Sequence, residues 1–263
     1  MLNRFSAREK LCNEITGEIL SGSSNLIVIK GKFGFGKSTL MAKLAANAKE
    51  RRAHVLPVIC GRSKNTFTCF DVWRQIVYYL EDLLNLPHME KKEFEHKPSS
   101  LSVDWVQVIA KLMDDCSKKL TEPVVIFIDG VDKLSSYRDF QDLFRRLLAM
   151  LPKNAVFVVS SSDDFDASIK QSKKIKYSVF MLDDLDADEK KSVLEKLEAS
   201  QHYQKELPLE VKSKLLSMPQ SSNPLYLSMM YHRMVMLDSE DFREIMHLGD
   251  GIEGQTKYML RLI

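Results

Sequence analysis

Short apolar runs alternate with amphipathic segments along the chain as far as Leu182. Five runs have the length and β-branched content of buried strands. They are Leu26–Ile29, Val55–Ile59, Val124–Ile128, Ala155–Val159 and Ser178–Leu182. Most of the segments between them have helical periodicity, and helical crossovers are what parallel neighbours require. The pattern therefore predicts an α/β fold, with a five-stranded parallel sheet sandwiched by helices.

Proline gives one strand a predicted place in the sheet. Pro57 lies inside the second apolar run and has no backbone N–H to donate to a neighbouring strand. A proline of this kind is tolerated at the edge of a sheet. We therefore expect the second strand to be an edge strand.

The periodicity changes after Leu182, where strand-like runs stop and helical patterns continue. Asp186 and Glu189 have the spacing of a capping box that opens a helix. We predict a nucleotide-binding α/β domain over 1–184, a small helical lid domain over 185–248, and the start of a winged-helix-like domain over 249–263. The last residues have an apolar helical pattern without a C-cap signal, so we expect a longer protein.

Composition narrows the function classes. Hydrophobic residues make up 44% of the 263 positions and charged residues 28%, which is typical of a globular protein. The net charge of +2 provides no overall electrostatic attraction for nucleic acid or an anionic membrane. No signal peptide or bilayer-length apolar run is visible. We expect a cytoplasmic protein whose four cysteines, which lack metal-ligand spacing, are buried free thiols.

Residues 31–39 read GKFGFGKST and fit the pattern G-x-x-x-x-G-K-[ST], between an apolar run and an amphipathic segment. Glycines let successive N–H groups converge on phosphate oxygens, and the following helix directs its positive end at the same anion. The lysine reaches the β and γ phosphates, and the serine supplies a hydroxyl to Mg²⁺. The candidate nucleotide-binding residues here are Gly31, Gly34, Phe35, Gly36, Lys37, Ser38 and Thr39.

Two carboxylates follow the third apolar run. Asp129 would lie at the carboxyl end of a buried strand, where ligands bind in such sheets, and would hold Mg²⁺ through a water. Asp132, three residues on, is placed to orient or deprotonate the attacking water. The candidate catalytic residues are Asp132, Asp129 and Lys37, and the candidate metal-binding residues are Ser38 and Asp129.

At this point the sequence resembles a known family. Residues 126–132, IFIDGVD, resemble the second motif of the NACHT-type NTPases, which belong to the STAND class of signalling switches related to AAA+ ATPases. Residues 5–9 resemble the Gly-Arg-Glu signature before the first helix, which implies that Arg8 helps to enclose the base. Residues 223–227, NPLYL, resemble the proline motif of the lid, which implies that Pro224 contacts the adenine side.

The sequence also departs from that family. Ala7 replaces the usual glycine, Lys133 stands where a second acidic residue is common, and Ser162 stands where a sensor arginine is often found. No arginine can be named at that position for sensing the γ-phosphate. The resemblance therefore implies slow hydrolysis, or hydrolysis that needs a residue from elsewhere.

Three functions remain open at the level of sequence. The first is a regulatory ATPase switch of a larger signalling or defence protein, with ATP or ADP and Mg²⁺ clamped between two domains. Its partners would be other domains of the same longer chain, with possible nucleotide-dependent self-assembly. The second is a DNA-associated AAA+ initiator or loader, which near-neutral charge disfavours. The third is a P-loop phosphotransferase, which is disfavoured because the helical region from Asp186 to Met246 has few arginines, Arg233 and Arg243.

Overall fold

The computed structural model describes most of the chain. The residues described are 8–62, 68–88, 104–135, 137–162, 165, 175–199 and 206–236. They divide into two compact units. The α/β unit spans residues 10–32 and 37–182, and the helical unit contains Arg8 and Glu9, the segment Phe33–Gly36, and the residues from Asp183 onward.

The α/β unit is built on a five-stranded sheet in the order β2-β3-β4-β1-β5. Its strands are β1 (Leu26–Gly31), β2 (His54–Ile59), β3 (Val124–Asp129), β4 (Ala155–Ser161) and β5 (Tyr177–Leu182). All neighbouring pairs are parallel. The predicted fold class is confirmed, and β2 lies at an edge, as the proline within it requires.

Five helices within the described ranges belong mainly to this unit. They are α1 (Glu9–Ser21), α2 (Lys37–Glu50), α3 (Cys69–Leu84), α4 (Trp105–Lys119) and α5 (Tyr137–Leu148). The helix α3 begins with a capping box in which Thr68 accepts from the Asp71 N–H and Asp71 accepts from the Thr68 N–H. It ends at Asn85, whose left-handed φ of 55° is tolerated by asparagine.

The core lies between the central strands and these helices. Every residue of β3 and β4 is buried, because helices cover both faces of a parallel sheet. Trp73 of α3 stacks on Phe140 of α5 with ring centroids 5.0 Å apart, and this tryptophan is a buried core residue. All four cysteines are buried, and none of them forms a disulfide.

The part of the helical unit that the structure describes contains three helices and a short 3-10 turn. They are α6 (Ala187–Ala199), α7 (Leu209–Ser217), the turn Pro219–Ser222 and α8 (Pro224–Met236). The capping box predicted before α6 is present: Asp186 accepts from the Glu189 N–H at 2.8 Å, and Glu189 accepts from the Asp186 N–H at 3.2 Å. Leu194, Leu215 and Leu227 contribute to a small core of its own.

Some predictions fall outside the described residues. These are the predicted winged-helix start over 249–263, the last part of the predicted lid domain over 237–248, and the first three residues of the motif at 5–9. The three predicted domain limits therefore remain predictions. Among the described helices, none is both long and apolar enough to cross a bilayer.

Candidate nucleotide-binding site

The glycine-rich segment joins β1 to α2. The strand β1 ends at Gly31, and α2 begins at Lys37. Gly34 and Gly36 have φ angles of +84° and +85°, which side chains other than hydrogen rarely allow. A Cβ on Gly36 would meet no heavy atom within 4 Å, so open space adjoins this residue.

The side chain of Lys37 folds back over the loop. Its Nζ donates to the carbonyl of Gly31 at 2.5 Å and to that of Lys32 at 3.2 Å. Burial lowers the pKa of Lys37, whereas Asp132 and then Asp129 raise it. The structure thus brings the predicted lysine and both predicted carboxylates into one electrostatic environment within the α/β unit.

The carboxylate of Asp129 is fixed by the neighbouring strand. Asp129 is buried at the carboxyl end of β3, and the Ser160 hydroxyl on β4 donates to its Oδ1. The backbone N–H of Gly130 donates to the Ser160 Oγ at 2.9 Å. Ser160 therefore connects the backbone at Gly130 to the Asp129 carboxylate and fixes the position of that carboxylate.

Asp132 lies in the 3-10 turn Val131–Lys133. The hydroxyl of Ser162, which follows β4, donates to its Oδ2. Its Oδ1 is buried and has no hydrogen-bond partner among the described residues. An unpaired buried carboxylate oxygen is costly, and it is a free acceptor for a water or for a ligand group.

Lys133, which replaces the second acid, lies close to two glycines. A Cβ on Gly130 would come within 3.4 Å of the Lys133 Nζ, and a Cβ on Gly61 within 3.2 Å of its Cβ. Gly61 and Gly130 also have φ angles of +69° and +75°. The positive charge of Lys133 further lowers the pKa of Lys37.

The structure is compatible with a bound phosphate and a divalent cation. Within the α/β unit, the exposed Ser38 in the first turn of α2 and the unpaired Asp132 Oδ1 supply oxygen donors. Thr39 follows Ser38 in the same turn and is half-buried. No cluster of three or more metal-ligating His, Cys, Asp or Glu side chains occurs in the described part of the chain. Mg²⁺ bound beside phosphates does not need such a cluster, because it keeps several waters.

The loop tip, residues Phe33–Gly36, makes its described contacts in the helical unit. The Asn223 amide donates to the Phe33 carbonyl at 3.1 Å, and the N–H of Leu225 donates to the Gly34 carbonyl at 3.2 Å. Arg8 donates to the Phe35 carbonyl at 2.8 Å. The Phe35 side chain is buried and that of Phe33 is 75% exposed.

Arg8 and Pro224 occupy defined positions within the helical unit. The Arg8 guanidinium also donates to the Asp183 carbonyl, and its Nε lies 3.9 Å from a Glu189 oxygen. Burial lowers the pKa of Arg8, opposed by Glu189 and then by Asp183 and Asp184. Pro224 is the first residue of α8, a position that proline favours. The roles that the family resemblance implies for these two residues at the base remain predictions.

Sequence reasoning missed two connections. The sequence indicates a motif at residues 223–227 and places Ser162 at a sensor position, but it gives Ser160 no partner and Asn223 no role. Two signals were available in the sequence. A serine ends the fourth apolar run, next to the run that ends in Asp129, and an asparagine directly precedes the proline that starts a helix. Neither signal names the atom at the other end of the contact.

These features define the chain as a P-loop protein with the fold of AAA+-type ATPases. The chain belongs to the nephrocystin 3 N-terminal family, whose sequence model matches residues 10–162. A comparison with curated proteins finds no significant match.

Solved structures share the fold at low sequence identity. The Aeropyrum pernix ORC1 protein, solved in complex with DNA, has a TM-score of 0.54 at 15% identity; the match covers 87% of this chain and 60% of that one. Domain III of the Thermotoga maritima replication initiation protein DnaA has a TM-score of 0.50 at 17% identity. That match covers 94% of this chain and 87% of DnaA domain III.

Proposed function

We propose that this chain is an ATP-binding, slowly hydrolysing switch module of a larger signalling protein of the STAND class. The observation that carries the proposal is the environment of Lys37, which folds over the glycine-rich loop and is influenced by both Asp132 and Asp129. A lysine, two carboxylates and a loop of left-handed glycines are the parts that phosphate binding and phosphoryl transfer require.

Each residue then has a role. The backbone of residues 31–36 surrounds the phosphates, Lys37 offsets the charge of the β and γ groups, and Ser38 with Asp129 holds Mg²⁺, the latter through a water. Bound Mg²⁺ would neutralise charge on the phosphate oxygens. Asp132 orients the attacking water through its unpaired Oδ1, while Ser162 fixes the other oxygen.

Slow turnover follows from what surrounds Asp132. Lys133 places a positive charge where a second carboxylate would strengthen a general base, and Ser162 provides no cation for the γ-phosphate. We expect turnover at or below the low end of the usual range, roughly 1 s⁻¹. Slow hydrolysis suits a switch, because the nucleotide state then lasts long enough to be read by other domains.

A second candidate is a DNA-associated initiator-type ATPase. The similarity to the ORC1 and DnaA structures favours it, whereas the net charge of +2 supplies no strong attraction to phosphate backbones. A phosphotransferase has less support, since Arg233 is buried within α8 and cannot serve as an exposed lid arginine.

One set of measurements separates these functions. Fluorescent ATP and ADP are titrated into the full 263-residue chain, single-turnover hydrolysis is followed, and size-exclusion profiles are compared with ADP and with a non-hydrolysable ATP analogue. A switch binds both nucleotides, turns over slowly without an acceptor, and changes assembly state with the analogue. Salt-sensitive DNA binding would favour the initiator function instead, and absence of nucleotide binding would refute the proposal.

A further inference from the structure

Three consecutive peptide groups of the loop tip are held by their carbonyl oxygens. Phe33 accepts from the Asn223 side chain, Gly34 from the Leu225 N–H, and Phe35 from Arg8. All three bonds lie within the helical unit. The donors are a side-chain amide, the first turn of α8 and a guanidinium.

Because the peptide group is planar, these hydrogen bonds also fix the directions of the neighbouring N–H groups. In a trans peptide the carbonyl of one residue and the N–H of the next point in opposite directions. Fixing the carbonyls of Phe33, Gly34 and Phe35 therefore fixes the N–H directions of Gly34, Phe35 and Gly36. Those directions decide whether the N–H groups converge on an anion.

Asn223 is occupied at both ends of its amide. Its Oδ1 accepts from the N–H of Leu225 at 2.9 Å and from that of Tyr226 at 3.3 Å, which makes it the N-cap of α8. Its Nδ2 donates to the Phe33 carbonyl. A Cβ on Gly34 would lie 2.6 Å from the Asn223 Oδ1, so only glycine allows this close approach.

We propose that Arg8 and Asn223 are positioning residues that preorganise the loop tip for phosphate by holding its carbonyls. This inference rests on the proposed function and adds that phosphate affinity depends on the start of α8 as well as on Lys37. It predicts that both residues act on the polyphosphate of a nucleotide rather than on its base.

The test compares ATP with inorganic tripolyphosphate, which has no base. Both compete against fluorescent ADP on wild type, Asn223→Ser and Arg8→Lys. Serine keeps the cap of α8 and removes the amide donor. We expect Asn223→Ser to lower the affinities for tripolyphosphate and for ATP by the same factor, about 5-fold, which corresponds to the loss of one hydrogen bond. Arg8→Lys keeps the charge but not the planar fork, and it should also weaken both ligands.

Asn25→Ser is the matched control. The Asn25 amide donates to the carbonyls of Pro152 and Ala155, each at 2.9 Å, in the α/β unit. It should lower the melting temperature and leave both affinities unchanged. If Asn223→Ser does not fold, Arg8→Lys decides the question alone.

The outcomes are distinct. Weaker binding of ATP with unchanged binding of tripolyphosphate would overturn the inference and place these residues at the base. Full affinity in Arg8→Lys would overturn the inference for Arg8, and unchanged affinities in both variants would overturn it entirely. A wild type that binds neither ADP nor tripolyphosphate would instead refute the proposed function.

Discussion

At the carboxyl ends of β3 and β4, side chains bond to side chains: Ser160 to Asp129, and Ser162 to Asp132. At the loop tip, the hydrogen bonds described above end on main-chain carbonyls, and the glycines there contribute no side chain at all. The first region places charge and acid–base groups, and the second sets backbone direction. Substitutions at the strand ends should therefore change chemistry, while substitutions at the tip should change the geometry of binding.

The largest effect is expected at Asp132. Asp132→Asn removes a general base, whose contribution is typically at least 100-fold in rate, but it keeps the shape of the site. We expect single-turnover hydrolysis to fall by about that factor with ATP affinity unchanged. Asp114→Asn, at an exposed pair with Lys118, is the control. Equal hydrolysis in wild type and Asp132→Asn would remove Asp132 from the mechanism.

Lys37→Ala should act on binding. Loss of the ammonium beside the β and γ phosphates should lower ATP affinity by at least tenfold, about 1.4 kcal/mol. A titration with fluorescent ATP measures this, and melting curves check folding. Lys49→Ala, in the exposed last turn of α2, should bind as wild type does. Unchanged affinity in a folded Lys37→Ala protein would contradict the assignment.

A glycine pair tests the tip directly. Gly34 and Gly36 share the same left-handed backbone, so alanine at either costs about 1–2 kcal/mol of stability. Only at Gly34 does the new Cβ also meet Asn223, so Gly34→Ala should melt at a lower temperature than Gly36→Ala. Gly36→Ala should instead lose nucleotide affinity, because its Cβ enters the open space.

Gly17→Ala is the control for this pair. Gly17 lies in α1 with nothing near a new Cβ, so alanine there should stabilise the protein by roughly 0.5–1 kcal/mol. Equal melting temperatures for Gly34→Ala and Gly36→Ala would show that the contact with Asn223 does not constrain the tip.

An effect that is confined to alkaline pH concerns Cys60, which follows β2. Burial, with Asp129 and Asp132, raises its pKa to about 12. The folded state thus favours the protonated thiol. The contribution of this thiol to the free energy of unfolding is complete below pH 9 and is lost as the pH rises from about 9 toward 12. At pH 10 the loss is about 1.4 kcal/mol. Cys60→Ala should show a shallower fall in melting temperature over this range; identical slopes would contradict the shift.

The residue pattern is sufficient to predict the secondary-structure elements and the chemical groups of the site. Alternation of apolar runs with amphipathic segments specified five parallel strands, because strands covered on both faces must be apolar throughout. A proline without a donor N–H placed β2 at an edge, and the spacing of glycines, lysine and aspartates indicated a phosphate site. These signals depend only on residues that are close in the sequence, so they can be interpreted without knowing which residues are close in space.

Which atoms come into contact depends on the folded arrangement of the chain. The bond from Ser160 to Asp129 joins residues on neighbouring strands, and the bond from Asn223 to Phe33 spans 190 positions of the chain. Side-chain type states what a residue can donate or accept, but the partner is set by strand order and by where α8 begins. Residue types do not specify the direction of a main-chain N–H, apart from the glycines that allow an unusual φ angle. The hydrogen bonds to the carbonyls of the loop tip therefore could not be predicted from the sequence.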